Sequence, residues 1–325
     1  MKRFKQILCV VTYGKQDQLV LQRAVSLAEN NNAKLTVATV TPLITADIEI
    51  TDEGPVSKDL QKSIVSVKQQ ELESLVQPYR ERLVIQTTVL AGISFLEIIH
   101  EVLRLGHDLV IKIPDTADWL DRMFGSDDMH LLRKCPCPVW LIKSEAAKPY
   151  RRILAAVDVN NEGPPDEHRA KMALNRQILE MAVSLALSEF AELHIVHAWK
   201  ASGESAMGGA FMRKPEEKII AYVEQVRQQR ATQFDSLIHE VTRSMGQDAV
   251  NYLKPKAHLV KGQARKQIPA LAKQISCDLV VMGTVARTGI PGFIMGNTAE
   301  TILNQIDCSV LAIKPPGFRT PVTIE

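Results

Sequence analysis

The sequence predicts a doubly wound α/β protein built from two domains of one fold. Short apolar, β-branched runs alternate with longer segments of helical period, which is typical of a parallel sheet flanked by helices. The apolar runs hold few polar residues, which indicates strands covered on both faces. Because the whole pattern occurs twice, we expect two tandem flavodoxin-like domains, each with a five-stranded parallel sheet.

The internal repeat is visible in matched strands near the start and the middle of each half. Residues 7–11 match residues 153–157, and residues 108–111 (DLVI) match residues 278–281 (DLVV). The two offsets (153 minus 7, and 278 minus 108) lie near half of the 325 residues. A period of this length means two copies of one fold, so the differences between the copies are the places to examine for function.

In the first domain, five apolar runs predict the strands and the periodic segments between them predict the helices. The predicted strands lie at residues 7–11, 35–40, 83–90, 109–113 and 139–142. Helical spacing of apolar side chains occupies residues 19–28, 64–75 and 95–102. Residues 44–57 follow neither pattern and are expected to form an irregular loop.

The second domain repeats this order of elements. The predicted strands lie at residues 152–157, 192–198, 250–260, 278–282 and 309–313. The predicted helices lie at residues 171–189, 215–245, 264–275 and 298–306. Residues 201–214 are expected to be irregular. These patterns predict domains at residues 1–145 and 150–316, followed by an extended tail at residues 317–325.

The composition is that of an ordinary globular protein. Hydrophobic residues make up 46% and charged residues 23% of the chain, and 39 basic against 37 acidic residues give a net charge of +2. No concentrated basic face is indicated, which argues against a nucleic-acid partner. No apolar stretch approaches the roughly 20 residues of a membrane-spanning helix. We expect a cytoplasmic protein whose five cysteines are reduced and mostly buried.

A glycine-containing turn after the fourth strand of the second domain is the best candidate for ligand chemistry. In an open α/β sheet, ligands bind beyond the carboxyl ends of the strands. Gly283 stands at the predicted strand end, where a missing Cβ lets a ligand approach the backbone. Gly296 opens a helix at Asn297 and Thr298, and the free N–H groups of a helix start attract anions. The alternative is an ordinary helix cap with no ligand.

This turn and the repeat together resemble the universal stress protein family, in its tandem E-type branch, over essentially the whole chain. Nucleotide-binding members carry Gly, two residues, Gly, nine residues, then Gly followed by Ser or Thr. Here the same positions hold Gly283, Ala286, Gly296 and Asn297, so two of the four depart from the pattern. The resemblance implies a stress-response protein whose second domain binds ATP or a related adenine nucleotide.

The resemblance also assigns roles to single residues of the second domain. Asp158 would hold the ribose and adenine side of the nucleotide, and Ala198 would lie beside the adenine. Gly283 would admit the ligand to the backbone.

The phosphates would lie at Gly296, Asn297 and Thr298, where the backbone N–H groups do not depend on side chains. Ala286 adds one methyl group to the turn, and Arg287 offers a charge-assisted contact to a phosphate.

The first domain lacks the matching residues. Thr12 stands where the second domain has Asp158, and Ile113 stands where it has Gly283. Asp127 and Asp128 at the next helix start suit the helix dipole but would repel a phosphate. We therefore expect no nucleotide in the first domain.

Two alternatives keep the fold and change the function. Pro291, Phe293, Ile294 and Met295 lie in the same loop and would suit a less polar or lipid-like ligand of a nucleotide-independent sensor or scaffold. A slow ATPase is the other alternative. No catalytic residue and no metal ligand set is identified, so any hydrolysis is expected to be slow.

The resemblance also bears on assembly. In the family, the fifth strands of two domains pair across a dimer interface. Here the two copies would pair within one chain as a pseudo-dimer, and the sequence leaves open whether two chains form a further homodimer.

Overall fold

The computed structural model describes most of the chain and shows one continuous sheet with helices on both faces. The described residues are 4–14, 16–44, 56–114, 127–143, 149–160, 164–209, 212, 214–284 and 295–324. Two of the predicted site residues, Ala286 and Arg287, lie outside them, as do Pro291, Phe293 and Ile294.

The strands lie where the apolar runs predict them, with most ends differing by one or two residues. The first domain contributes β1 (Gln6–Val10), β2 (Lys34–Thr41), β3 (Ile85–Ala91), β4 (Leu109–Lys112) and β5 (Val139–Leu141). The second contributes β6 (Arg152–Ala156), β7 (Glu192–Trp199), β8 (Lys256–Lys261), β9 (Leu279–Gly283) and β10 (Ser309–Ile313).

The sheet order is β3-β2-β1-β4-β5-β10-β9-β6-β7-β8. Within each domain every described strand pair is parallel, which confirms the predicted doubly wound α/β class. The order in each domain is 3-2-1-4-5, whereas flavodoxin itself has 2-1-3-4-5. The first and fourth strands of each domain are therefore neighbours, and the strand order reverses between them.

Helices cover both faces of the sheet. In the first domain they are α1 (Asp17–Asn31), α2 (Val56–Val76), α3 (Ser94–Leu105) and α4 (Asp127–Lys134), with a 3₁₀ turn at Gln77–Tyr79. In the second they are α5 (Pro165–Glu189), α6 (Glu204–Gly208), α7 (Glu216–Met245), α8 (Gln247–Leu253), α9 (Ala264–Gln274) and α10 (Asn297–Leu303).

Two segments of the second domain differ from the sequence prediction. The strand predicted at 250–260 begins only at Lys256, because the residues before it form α8, which packs against α5 and α7 and buries Leu253. A short apolar run cannot be distinguished from a buried helix by periodicity alone. The segment predicted to be irregular at 201–214 contains the short helix α6, which begins after Gly203.

Two apolar layers hold the sheet between the helices, and each layer runs through both domains. One lies under α1, α2, α5 and α7, and it includes Val20 of the first domain and Ile178 of the second. The other lies under α3, α4, α9 and α10, and it includes Leu131 and Leu303. The shared layers mean that neither domain has a separate core at the junction.

The junction itself is an antiparallel pairing of β5 with β10, with Trp140 opposite Leu311. Ion pairs between the domains flank it on both faces: Arg23 with Glu189, and Arg133 with Glu300, each at 2.6 Å. The pairing of the two fifth strands within one chain is the arrangement that the family resemblance implies.

Among the helices in the described part of the chain, none is both long enough and apolar enough to cross a bilayer.

Candidate functional site

The carboxyl ends of β6 and β9 form the crevice at which the strand order of the second domain reverses. Ala156 of β6 pairs with Met282 of β9, so Asp158 and Thr284 follow the two strand ends at the same level. In open α/β sheets this reversal point is where ligands bind. The crevice therefore brings the Asp158 loop next to the turn that follows Gly283.

The backbone of Asp158 is held by one side chain, Asn175 of α5. The Asp158 N–H donates to Asn175 Oδ1 at 3.0 Å, and Asn175 Nδ2 donates to the Asp158 carbonyl at 2.8 Å. A neutral amide side chain can accept one hydrogen bond and donate another at the same time, because it carries a carbonyl oxygen and an NH₂ group. Asn175 is buried, so this double contact fixes the loop after β6.

The Asp158 carboxylate is half exposed, with 52% of the side chain accessible, and faces Lys171. Its Oδ2 lies 3.2 Å from Lys171 Nζ, and its Oδ1 accepts the N–H of Asn160 at 3.0 Å. Lys171 also donates to the Asn160 carbonyl at 3.1 Å. An exposed ion pair of this kind contributes little free energy, so a ligand hydroxyl can replace it at low cost.

His197 lies beneath this loop in β7. Its Nδ1 lies 3.3 Å from the Val157 carbonyl, and its ring lies 6.0 Å from the ring of Phe234. Burial lowers the pKa of His197, although the Asp158 carboxylate opposes the shift. The imidazole is therefore neutral at pH 7 and supports the loop from below, as expected for a core histidine.

Gly283 lacks a side chain for a reason that the sequence does not show. A Cβ on Gly283 would lie 2.6 Å from Cδ2 of Leu174, which packs on it from α5. Real Cβ atoms do not approach a neighbour so closely. The packing of α5 is therefore one reason for a glycine at position 283, in addition to any role in admitting a ligand.

Thr284 joins the two ends of the turn between β9 and α10. Its carbonyl accepts the N–H of Gly296 at 3.2 Å, and its N–H donates to the Ile313 carbonyl at 3.3 Å. Gly296 is the N-cap of α10, and no side chain of the described residues caps this helix start. Asn297 and Thr298 are exposed at the first turn, so neither is occupied as an internal cap.

Ala198 lies near the end of β7, the strand on the other side of β6. It is buried and pairs with Val260 of β8. The structure thus places Asp158, Gly283 and Ala198 at the carboxyl ends of three adjacent strands, with Gly296 hydrogen-bonded to Thr284 at the β9 end of this edge.

A buried lysine at the end of β10, Lys314, is a feature that sequence reasoning missed. Its Nζ donates to Thr284 Oγ1 at 2.7 Å and to the Arg133 carbonyl of the first domain at 3.3 Å, with a further bond to the Leu132 carbonyl. Burial lowers the pKa of Lys314 to about 8, against weaker opposing effects of Cys135 and Cys137. The site turn is thereby tied to the other domain.

At the equivalent place in the first domain, the end of β4 carries a buried ion pair. Lys112 of β4 lies 2.6 Å from Asp128 of α4, and both side chains are buried. Asp128, expected from the sequence to repel a phosphate, is therefore neutralised by a lysine that stands where the second domain has Met282. The Thr12 N–H donates to Asp17 Oδ1 at 3.3 Å, and burial raises the pKa of Asp17.

Asp17 and Asn175 occupy the same place in the two domains. Each lies fifteen residues before the left-handed residue that ends its helix, Asn32 in α1 and Phe190 in α5. This match is the signal by which the role of Asn175 could have been found in the sequence. The first domain has a carboxylate there, which accepts the loop N–H but cannot donate to a carbonyl when ionised.

The apolar-ligand alternative receives no support from Met295. This side chain is buried in the core layer under α9 and α10. In the described part of the chain, no three His, Cys, Asp or Glu side chains are arranged to hold a metal ion.

Comparison with known proteins identifies the family. The model of the universal stress protein family matches residues 3–143 and 149–314. Universal stress protein E of Escherichia coli K12 is 29% identical over 336 aligned residues, which cover 100% of this chain and 98% of that protein. The universal stress protein E homolog of Haemophilus influenzae Rd is 28% identical, with 96% and 98% covered.

Solved structures agree at the level of the fold. A protein of unknown function from Pseudomonas aeruginosa PAO1 has a TM-score of 0.61 and 29% identity, with 96% of this chain and 93% of that chain covered. A universal stress protein from Archaeoglobus fulgidus has a TM-score of 0.58 and 17% identity, with 95% and 98% covered. The second likeness shows a shared fold alone.

Proposed function

The chain belongs to the universal stress protein family with two tandem domains, and on this premise we propose that its second domain binds ATP or a related adenine nucleotide. The proposed site is the crevice at the carboxyl ends of β6 and β9. The proposal makes the chain a stress-response ligand-binding protein rather than a dedicated enzyme.

One observation carries the proposal: Asp158 and Thr284 follow two paired strands at the reversal point of the second domain, and the Thr284 carbonyl accepts the N–H of Gly296. The clamp from Asn175 fixes the Asp158 loop before any ligand arrives. A preorganised site loses less conformational entropy on binding. In the described part of the first domain, Thr12 stands in place of Asp158, and a buried Lys112–Asp128 ion pair lies at the end of β4.

The ribose and base would lie at the Asp158 side of the crevice. The Asp158 carboxylate accepts hydrogen bonds from the two ribose hydroxyls once they replace Lys171. Ala198, with its small side chain on the next strand, leaves room for the adenine. Gly283 contributes the close packing of α5 that holds this edge of the sheet.

The phosphates would lie at the start of α10, beside the turn that Thr284 closes. The first N–H groups of a helix have no partner within the helix, so those of Asn297 and Thr298 are suited to phosphate oxygens. The exposed Asn297 side chain adds a donor. Ala286 and Arg287 belong to the proposal on their sequence positions, Arg287 as a cation for the phosphates.

Rapid hydrolysis is not part of the proposal. Glu300, the carboxylate in the first turn of α10, is paired with Arg133 of the first domain at 2.6 Å. The guanidinium of Arg133 therefore occupies this carboxylate, which would otherwise be a candidate to position an attacking water. We therefore expect at most slow ATP turnover.

The test is mass spectrometry of small molecules released from the purified chain, together with calorimetric titration of ATP. We expect an adenine nucleotide in the released fraction and saturable heat with ATP. The variant Gly296→Trp, which places a large side chain at the start of α10, should abolish that heat. Recovery of a different, less polar compound with no ATP heat would overturn the proposal in favour of a changed ligand.

Matched variants in the two domains locate the site. Asp158→Ala should raise the Kd for ATP about tenfold, because a hydrogen bond to a charged group contributes roughly 1.5 kcal/mol or more. Thr12→Ala, at the matching position of the first domain, should leave the Kd unchanged. Equal weakening by both variants would contradict a site confined to the second domain.

A further inference from the structure

Two cysteine thiols lie in contact on the short connection between α4 and β5. The Sγ atoms of Cys135 and Cys137 are 3.6 Å apart, and Pro136 stands between the two residues. Cys135 is fully buried, whereas Cys137 is 7% exposed, so the pair meets solvent on the Cys137 side. The two sulfur atoms would have to move closer, to about 2.05 Å, to form a disulfide bond.

A positive charge from the second domain lies next to this pair. Lys314 Nζ donates to the Leu132 and Arg133 carbonyls at the end of α4, directly before Cys135. The Cys135 N–H belongs to the same turn and donates to the Leu131 carbonyl at 2.9 Å. An ammonium group beside a thiol stabilises its thiolate, which is the nucleophilic form.

We propose that Cys135 and Cys137 form a redox-active thiol pair, which hydrogen peroxide converts into an intramolecular disulfide. Cys135 is the attacking thiol, Cys137 is the resolving thiol, and Lys314 is the positioned cation. This inference concerns the first domain and the junction, and it does not depend on nucleotide binding.

The two thiols are not equivalent. At Cys135, burial acts to raise the pKa, but the hydrogen bonds from Cys137 and the Lys314 ammonium outweigh it and lower the pKa. At Cys137, the hydrogen bond to Cys135 and then burial raise the pKa well above its usual value. One thiol therefore ionises first and is stabilised by the proton that the other retains.

The reaction balances with peroxide as the only oxidant. The Cys135 thiolate attacks one peroxide oxygen, forms an S–O bond and breaks the O–O bond, and the hydroxide released takes up a proton to become water. The Cys137 sulfur then attacks the sulfenic sulfur, forms the S–S bond and expels a second hydroxide, which leaves as water with the Cys137 proton. Two thiols lose two electrons in total, and peroxide gains them.

The remaining cysteines provide an internal control. Cys308 is the repeat match of Cys137, and its neighbour Cys277 donates to the Leu279 carbonyl at 3.1 Å. Burial, followed by the contact with Cys308, raises the pKa of Cys277 well above its usual value. Burial likewise raises the pKa of Cys9. Cys9 and Cys277 therefore stay protonated at neutral pH, and oxidation is expected at Cys135 before either of them.

The experiment exposes the full chain to graded hydrogen peroxide, blocks free thiols with a maleimide and maps the cysteine peptides by mass spectrometry. The peptide that holds Cys135 and Cys137 should lose two hydrogen atoms and escape the maleimide, while Cys277 and Cys308 remain labelled. Oxidation of Cys277 and Cys308 ahead of this peptide would overturn the proposal.

Variants separate the roles of the three groups. Cys137→Ser should stop the reaction at a sulfenic acid on Cys135, which dimedone traps. Lys314→Met should slow the oxidation of Cys135 at least tenfold at pH 7 while Cys277→Ser leaves it unchanged. An unchanged rate in Lys314→Met would overturn the role of the ammonium.

A measurement on the unmodified protein guards against variants that fail to fold. The rate of iodoacetamide labelling is followed against pH at each cysteine. Labelling of Cys135 should reach its plateau at a lower pH than labelling of Cys9, Cys137 or Cys277. A profile in which Cys135 and Cys137 label at the same pH would contradict unequal thiols.

Discussion

Lys314 shows how one side chain can join a ligand crevice to a domain junction. Its ammonium is buried among a hydroxyl and two backbone carbonyls, and the ring of Phe318 lies 4.9 Å from its Nζ. Removing this charge from water lowers its pKa to about 8. The folded chain therefore carries a lysine that is only partly charged at mildly alkaline pH.

The buried charge makes stability depend on pH in a defined direction. Between about pH 8 and the ordinary lysine pKa of 10.5, the unfolded chain holds the Lys314 proton and the folded chain has released it. The free energy of unfolding then rises with pH, by about 3 kcal/mol over the full window.

The variant Lys314→Met isolates this effect. Urea unfolding of both proteins at pH 7 and pH 10 should show the wild type gaining about 2 kcal/mol or more relative to the variant. The wild type is compared with the variant because Tyr13 and Tyr150 also make the stability depend on pH. Burial raises the pKa values of both tyrosines to about 12, so their contribution to the free energy of unfolding falls as the pH rises. A constant difference between the two proteins would show that Lys314 does not titrate in this window.

Long-range partners explain why sequence reasoning found some site residues and missed others. Asp158 and Gly283 follow strands whose apolar runs are visible in the sequence, so their place at the sheet edge was predictable. The contact of Asn175 with Asp158 spans 17 residues and could have been found from the repeat match with Asp17. The contact of Lys314 with Arg133 spans 181 residues, and no local pattern encodes such a pair. The roles of the predicted residues toward a nucleotide stay predictions.

At the scale of elements, the strands were predictable and the short helices were not. The inner strands are covered on both faces, so burial requires an apolar run that the sequence displays, whereas the edge strand β8 is partly exposed and its start was not predicted. The short helices α6 and α8 contain too few turns to show a helical period. The packing of α5 on β9 was likewise not predictable, because a single glycine gives no periodic pattern in the sequence.

This packing gives a prediction for Gly283. The substitution Gly283→Ala places a methyl group 2.6 Å from Cδ2 of Leu174, which must move. We expect a loss of about 1 kcal/mol in the free energy of unfolding, the low end of the cost of overpacking, because the atom that must move is the terminal methyl of a partly buried leucine.

A double-mutant cycle with Leu174→Ala checks the cause. The alanine at position 174 removes the atoms that clash, so the double variant should be more stable than the sum of the two single effects by about 1 kcal/mol. The measurement is urea unfolding of the four proteins. Simple additivity would mean that the methyl group at Gly283 meets something other than Leu174.

At the scale of the whole molecule, the junction makes one unit of two domains. Trp140 of β5 is fully buried, lies opposite Leu311 of β10 and has its ring centroid 6.0 Å from that of Tyr150. Arg23 of α1 covers the Tyr150 ring at 4.0 Å and pairs with Glu189 of α5. Residues from both domains therefore complete the same part of the core.

The shared core predicts cooperative unfolding. Trp140→Ala should lower the free energy of unfolding by about 3–5 kcal/mol without changing the dependence on urea concentration. Hydrogen exchange followed by mass spectrometry should show β1 and β6 losing protection together. Loss of protection in β1 alone, with β6 unaffected, would mean that the domains unfold independently.

The pairing of β5 with β10 has a further consequence, which concerns dilution. Two separate chains that share an interface come apart as their concentration falls, and their stability follows mass action. Here the polypeptide keeps the two halves at a fixed one-to-one ratio and at a high local concentration. The junction therefore persists however scarce the protein is in a cell, and each copy is free to change its own crevice without having to match a second, identical one.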